Sequence, residues 1–221
     1  LGKRLRDTYL SGILLAVALL FAISVLSLYA EQSGIASPTA LAGFEESSFE
    51  VATIASNCAV INVSASLDTN ILTNTTSNCI HINASNLVFN CSGFSIGGNT
   101  TGVGINATDV VNVTIKDCRV ENFSNNVRFS NTNNSWITNV TAYNSSDDSL
   151  AFVSGSNNNT IANSTFVAAP LGAADGASIS GSVNNTFWHS NFTSGATGSG
   201  LLILSSSHNS TLINVTGGTE T

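Results

Sequence analysis

Asp148-Ser-Leu150-Ala-Phe152 and Asp175-Gly-Ala177-Ser-Ile179 share one internal spacing, an Asp two residues ahead of an alternating apolar pair. Asp147 adds a third carboxylate beside the first. Carboxylates held close together can divide the work of general acid and base, or acid and nucleophile, in glycoside cleavage. Oxygen ligands of this kind also suit Ca²⁺, the one cofactor the residues suggest. A third use needs no ligand, because an Asp ahead of a strand caps the turn by accepting backbone N–H groups. Capping is the ordinary role at such a place and stands ahead of catalysis by Asp147, Asp148 and Asp175. A base for lyase chemistry is scarce, since Arg128 is the only cation downstream of Arg119; the repeat described below places it one coil before Ala151, near Asp148.

Other side chains carry weaker signals. His81, His189 and His208 are scattered, and with no Met in the chain soft-metal ligands are few, so the histidines read as surface turn residues and no metal site is expected from them. Trp136 and Trp188 fall at strand starts; packing is the expected role, with a sugar-stacking strip as the alternative. The 33 Ser would let a Ser-His-Asp triad be drawn almost anywhere, which deprives any one triad of meaning.

The elements that must position these residues recur with a period near 24. Asn followed three residues later by an apolar residue occurs at Asn112/Ile115, Asn134/Ile137, Asn158/Ile161, Asn184/Phe187 and Asn209/Leu212. Two residues beyond each anchor stands a polar turn former, Asp117, Asn139, Asn163, His189 or Asn214. A second apolar pair follows one strand later, at Val127/Phe129, Leu150/Phe152, Ala177/Ile179 and Leu201/Ile203. Short alternating strands at this period, broken by Asn, Ser and Gly, predict a parallel β-helix whose inward residues stack about 4.8 Å apart from coil to coil. Asn at equivalent turns is expected to form side-chain amide ladders. Such stacking explains how 28 Asn, 33 Ser and 23 Thr can supply polarity while only 9% of residues are charged.

Cys58, Cys79, Cys91 and Cys118 allow three disulfide connectivities. Equivalent positions on adjacent coils favour Cys58–Cys79 and Cys91–Cys118; Asn90-Cys91 and Asp117-Cys118 are read as equivalent turns. Disulfides point to an oxidising compartment. Seventeen Asn head N-x-Ser/Thr sequons, more than chance supplies: Asn62, Asn74, Asn83, Asn90, Asn99, Asn106, Asn112, Asn122, Asn133, Asn139, Asn144, Asn158, Asn163, Asn184, Asn191, Asn209 and Asn214. The repeat forces part of that excess, and N-glycosylation outside the cytoplasm is expected to account for the rest.

Tyr9 to Ala30 holds 22 residues without a charge, long enough as a helix, at about 33 Å, to cross a bilayer. Lys3, Arg4 and Arg6 precede it, so residues 1–30 are expected to be a cytoplasmic basic flank and a membrane anchor. A signal peptide cleaved near Ala40-Leu41-Ala42 is the alternative. Residues 31–43 read as a linker and residues 44–221 as the β-helix, which stops in mid-repeat and is expected to continue or to be covered by a partner. Beyond residue 30 stand 12 carboxylates against Lys116, Arg119 and Arg128, a balance that argues against nucleic acid and anionic lipid as ligands of this part.

Cys79-Ile-His-Ile-Asn-Ala-Ser-Asn-Leu-Val-Phe-Asn-Cys91-Ser-Gly-Phe-Ser-Ile-Gly-Gly-Asn99, with Gly102-Val-Gly-Ile105 and Asn112-Val-Thr-Ile-Lys-Asp-Cys118 after it, resembles the opening coils of exported right-handed β-helix repeat proteins of archaea and some bacteria. These belong to the pectate-lyase-like superfamily, with NosD-like or carbohydrate-binding-and-sugar-hydrolase repeats. The resemblance covers roughly residues 51–221 and implies an all-β, right-handed parallel β-helix of about seven coils, here preceded by one transmembrane helix. It departs from the family pattern where Asp-Cys is Asn90-Cys91 and Gly-His is Gly93-Phe94. Asp147-Asp148 looks like the paired Asp of the polygalacturonase branch, but that branch's Asn-Thr-Asp, Gly-His and Arg-Ile-Lys motifs are missing.

The reading that follows is a non-enzymatic, membrane-anchored glycoprotein at the cell surface, structural, adhesive or in contact with polysaccharide or neighbouring surface proteins. One alternative is a polysaccharide lyase or glycoside hydrolase using the stacked Asp residues. Another is a self-associating filament subunit with the apolar helix in the filament core.

Overall fold

The computed structural model describes residues 52–54, 57–204 and 206–219. The apolar stretch 9–30 and the linker 31–43 lie outside them. Among the described residues no helix is long and apolar enough to cross a membrane. These residues form a right-handed parallel β-solenoid of about seven turns, built from three sheets.

From Ala59 onward each coil visits the sheets in one order. Val113–Lys116 belongs to the first sheet (A), Arg119–Glu121 to the next (C) and Asn125–Ser130 to the third (B), after which Trp136–Thr138 returns to sheet A. All strand pairs run parallel, and the register is what the repeat requires. Ile115 lies opposite Ile137, Ile137 opposite Ile161, and Ile161 opposite Phe187 on sheet A. On sheet B the pairs Val127/Phe129, Leu150/Phe152, Ala177/Ile179 and Leu201/Ile203 stand in register. On sheet C, Val120, Ala142, Phe166 and Phe192 form the column. Alternation turns every second residue inward, so each column backs onto its equivalent one coil away and is buried as far as Ile179, Phe187 and Phe192, while Leu201 is half-buried and Ile203 exposed.

The corners explain the Asn content. Asn86, Asn112, Asn134, Asn158, Asn184 and Asn209, ahead of sheet A, all have φ between 51° and 60°. Asp117, Asn139, Asn163, His189 and Asn214, between sheets A and C, have φ between 48° and 55°. Asn and Asp enter this left-handed region more readily than other non-glycine residues, which lets one residue turn the chain. The expected exposed amide ladder forms in segments: Asn112 Nδ2 donates to Asn86 Oδ1 (2.9 Å), Asn139 Nδ2 to Asp117 Oδ1 (3.1 Å) and Asn144 Nδ2 to Asn122 Oδ1. A second ladder, which the spacing does not predict, is buried. Asn159 Oδ1 accepts from the Ser135 N–H (2.9 Å) while Asn185 Oδ1 accepts from the Asn159 N–H (2.9 Å). Ser156 and Ser182 hydroxyl oxygens receive backbone N–H groups from the preceding coil in the same way.

Cys58 is bonded to Cys79 and Cys91 to Cys118, with Cα–Cα distances of 4.4 and 4.7 Å. The turn equivalence read from the sequence is off by one residue. Asn90 stands opposite Lys116, and it is the Cys91 N–H that donates to Lys116 O. The chain crosses this corner with residues 91–94 where the next coil uses only Asp117 and Cys118, since Ser95 lies opposite Arg119. Ser92 and Gly93, at φ 52° and 85°, take up the extra length.

Candidate functional site

Position two ahead of the inward pair on sheet B recurs in every coil. The ladder aligns Asn78 with Val103 and Val103 with Asn125, and the same offset gives Asp148, Asp175 and Ser199. The acidic residues therefore follow one another up the solenoid. Asp148 Oδ1 accepts from the Asp175 N–H at 3.4 Å, a long bond, and Asp175 Oδ1 accepts from the Ser199 N–H at 2.6 Å. Asn125 Nδ2 donates to Asp148 O (3.1 Å) and to Asp147 Oδ2 (3.4 Å). Each Asp of the column thus caps backbone of the next coil. The chain passes Asp175 closely: a Cβ on Gly198 would collide with Ala174 O and lie 3.1 Å from Asp175 Oδ1.

Burial grades the three acids, with Asp147 exposed, Asp148 half-buried and Asp175 buried. Burial raises the Asp148 carboxyl, and the negative charges of Asp147 and Asp175 raise it further. The Asp175 N–H and the Ser178 hydroxyl favour the ionised form but do not offset this, and the group is pushed up to about 6. Asp148 can therefore hold or release a proton in mildly acidic solution, the property a general acid needs.

The same shift gives a stability prediction. With a folded pKa above the unfolded one, the native state binds the extra proton between about pH 4 and 6. Ionised Asp148 is then a penalty above pH 6 that fades as pH falls toward 4. Asp148→Asn keeps an oxygen for the Asp175 N–H and removes the charge. Denaturant melts should show the variant more stable than wild type at pH 7 by about 1 kcal/mol, after allowance for solvent reaching the group, and equal to it near pH 4.

Other sequence candidates fall elsewhere. Arg128 stands on sheet B opposite Asn106 and Ala151, and among the described residues the ion pair found is Arg119–Glu121, not Arg128–Asp148. Among the described residues no three His, Cys, Asp or Glu side chains gather to hold a metal ion. The Ca²⁺ expectation for Asp147, Asp148 and Asp175 meets this obstacle, because Asp148 and Asp175 turn to successive backbones along the axis rather than to a common point. His81 Nδ1 meets Asn106 Nδ2 (3.2 Å), while His189 and His208 are exposed. Both indoles lie on the outer face of sheet A, Trp136 50% and Trp188 42% exposed, so of the core or lateral packing expected for them only the lateral kind fits. Trp136 begins its strand, but Trp188 ends Thr186–Trp188.

The sequons acquire a structural cause. Asn112, Asn139, Asn158, Asn163, Asn184, Asn209 and Asn214 occupy left-handed corners, as do Asn122 and Asn144. In Asn158-Asn-Thr160, Asn158 makes the turn, Asn159 points inward and Thr160 starts the strand with its β-branched side chain outward. The repeat thus writes N-x-Thr for its own geometry. Asn106, also a sequon Asn, is buried.

No protein-family model and no curated protein sequence matches this chain. Solved structures do. An alginate lyase from Paenibacillus sp. superposes with a TM-score of 0.58 at 14% identity, covering 74% of this chain and 65% of that one. A candidate glycosyl hydrolase from Parabacteroides merdae gives 0.53 at 15%, covering 69% and 83%. The likeness is one of fold. What the two share with this chain is the parallel β-solenoid, and the chain spans 65% of the alginate lyase's length.

Proposed function

We propose that this chain is a non-enzymatic surface rod that contacts polysaccharide outside the cell. In this reading residues 9–30 anchor it with the N-terminus cytoplasmic, its exposed sequons away from the corner between sheets A and C carry glycans, and its exported relatives are the NosD-like repeat proteins of archaeal surfaces. Neighbouring surface proteins, or further copies of the chain, are its other partners. The observation that carries the reading is the use of the acidic column: Asp148 and Asp175 both serve as caps for the backbone of the following coil. A residue committed to holding two coils together is poorly placed to move through a catalytic cycle. The test is incubation of the disulfide-intact chain with neutral and acidic polysaccharides, with and without Ca²⁺, following chain length and retention. Retention without shortening is expected. Shortening that disappears in Asp148→Asn would replace this reading.

A polysaccharide-cleaving enzyme is the second reading, favoured by the raised pKa of Asp148 and by two fold neighbours named as an alginate lyase and a candidate glycosyl hydrolase. There Asp148 would be the proton donor and Asp147 or Asp175 the ionised partner.

A further inference from the structure

We infer that the corner between sheets A and C is a binding site for an uncharged polysaccharide chain lying along the solenoid axis, with Trp188 as its stacking platform. The inference rests on the polysaccharide-contacting reading above and names the place and the ligand class. It lies apart from the acidic column, which precedes sheet B.

A shallow depression of about 490 Å³ opens at this corner, lined by Asn163, Thr165, His189, Asn191, Asn214 and Thr216, with Ser164 and Ser190 at its floor. Asn163, His189 and Asn214 are the corner residues of three consecutive coils. Thr165, Asn191 and Thr216 are their partners in register at the start of sheet C. The lining is therefore one set of amide, imidazole and hydroxyl groups presented three times, at a rise of about 4.8 Å per coil. That rise is close to the length of one pyranose in an extended chain, so successive sugars would meet successive coils.

An aromatic surface adjoins the depression. The Trp188 and His189 rings lie 4.6 Å apart between centroids, and His189 Nε2 meets Asn214 Nδ2 at 3.1 Å, which couples the indole to the polar lining. Trp188 keeps 42% of its surface open to solvent, which leaves ring surface free for a sugar to stack on. On the same face, Trp136 opposes Thr160 and Thr160 opposes Thr186, two residues before Trp188. Two rungs and two residues separate the indoles by about 12 Å, which sets Trp136 off the line of an axial chain and leaves Trp188 as its platform.

The charge of the ligand follows from what is missing from the lining, which holds no carboxylate, lysine or arginine. A polyuronate would find no cation there, and the chain's net charge of −7 would oppose it at longer range. Neutral sugars need paired donors and acceptors beside an apolar plane, which amides, hydroxyls and an indole provide.

The test uses the full disulfide-intact chain, made without N-glycosylation so that Asn163, Asn191 and Asn214 carry no sugar. Oligosaccharides of neutral glucans, mannans, galactans and chitin, and of polyuronates, are titrated while Trp fluorescence and calorimetric heat are followed. Neutral oligosaccharides are expected to bind and uronates not to. Trp188→Ala should weaken binding about tenfold or more, Trp188→Tyr should restore part of it, and Asn214→Ala should weaken it with both indoles present. Trp188 is a surface residue, so its removal leaves the core intact, and Trp136 remains as a reporter. Binding unchanged in Trp188→Ala, or restricted to uronates, overturns this site and leaves the polysaccharide-contacting reading standing. Failure of every polymer and oligomer to bind overturns both.

Discussion

Asn159→Ala is expected to lower the melting temperature by roughly 10 °C, although the residue touches no ligand surface. Asn159 Oδ1 accepts the Ser135 N–H at 2.9 Å, and its Nδ2 donates to Thr132 O at 2.8 Å. Both bonds lie in a corner closed to water, with Asn159, Ser135 and Thr132 all fully buried. Alanine would leave a backbone donor and a backbone acceptor without partners, each costing about 1–3 kcal/mol. Chains of 150–250 residues lose roughly 2–4 °C per kcal/mol, which sets the size of the drop. Asn158→Gly, one residue earlier, is the control. Its exposed corner position has φ 56°, where glycine is at ease, so that variant should melt within a few degrees of wild type. Equal losses in the two variants would mean that the buried ladder has been misjudged.

The contrast between Asn158 and Asn159 also marks how far the sequence could be read. Asn158 belongs to the column Asn112, Asn134, Asn158, Asn184, Asn209, whose regular spacing alone announces a corner. Asn159 is invisible by the same method, because its equivalents are Val113, Ser135, Asn185 and Ser210, which share a location but not a chemistry. Leu87 and Val113 close the corner by packing in the earlier coils, and Ser135, Asn159, Asn185 and Ser210 are polar in the later ones. The acidic column was legible for the reason that Asn158 was: Asp148 and Asp175 keep one offset from their strands. The direction of their side chains was not, since offset gives place along the chain and says nothing of which neighbour a carboxylate meets. Cys91 shows the opposite failure. Two extra residues in the corner 91–94 hid the register that sets Asn90 opposite Lys116 rather than Asp117, while leaving the cysteines within bonding reach. Whether Trp136 and Trp188 pack in the core or laterally was not legible, because a large aromatic in an alternating strand is usually inward, and here the inward places beside them are taken by Ile137 and Phe187.

Phe187→Ala should produce the other large effect, and its form matters more than its size. Phe187 on sheet A lies 6.3 Å from Phe152 of sheet B and 5.6 Å, edge-on, from Phe192 of sheet C, between ring centroids. Phe152 stacks on Phe129 at 5.1 Å, and Phe192 on Phe166 at 5.6 Å. Phe187 therefore joins two aromatic columns across the section of the solenoid, where all five rings are fully buried. Truncation to alanine at such a site costs about 3–5 kcal/mol, through lost transfer energy and the cavity left behind. In a solenoid each coil is held chiefly by its neighbours, so a weakened contact interrupts the transmission of order along the axis. Beyond Phe187, Leu212 stacks on it and the strand Thr216–Thr219 pairs with the strand that carries Phe192. The wild-type chain should unfold in a single step, whereas Phe187→Ala should separate into early loss of residues beyond about 186 and later loss of the disulfide-tied coils. Hydrogen exchange followed by mass spectrometry would show it as protection lost first in peptides spanning 186–219, with 79–130 retained. A uniform fall in protection along the whole chain would instead mean that the solenoid behaves as one cooperative unit, and that the aromatic columns do not govern where it divides.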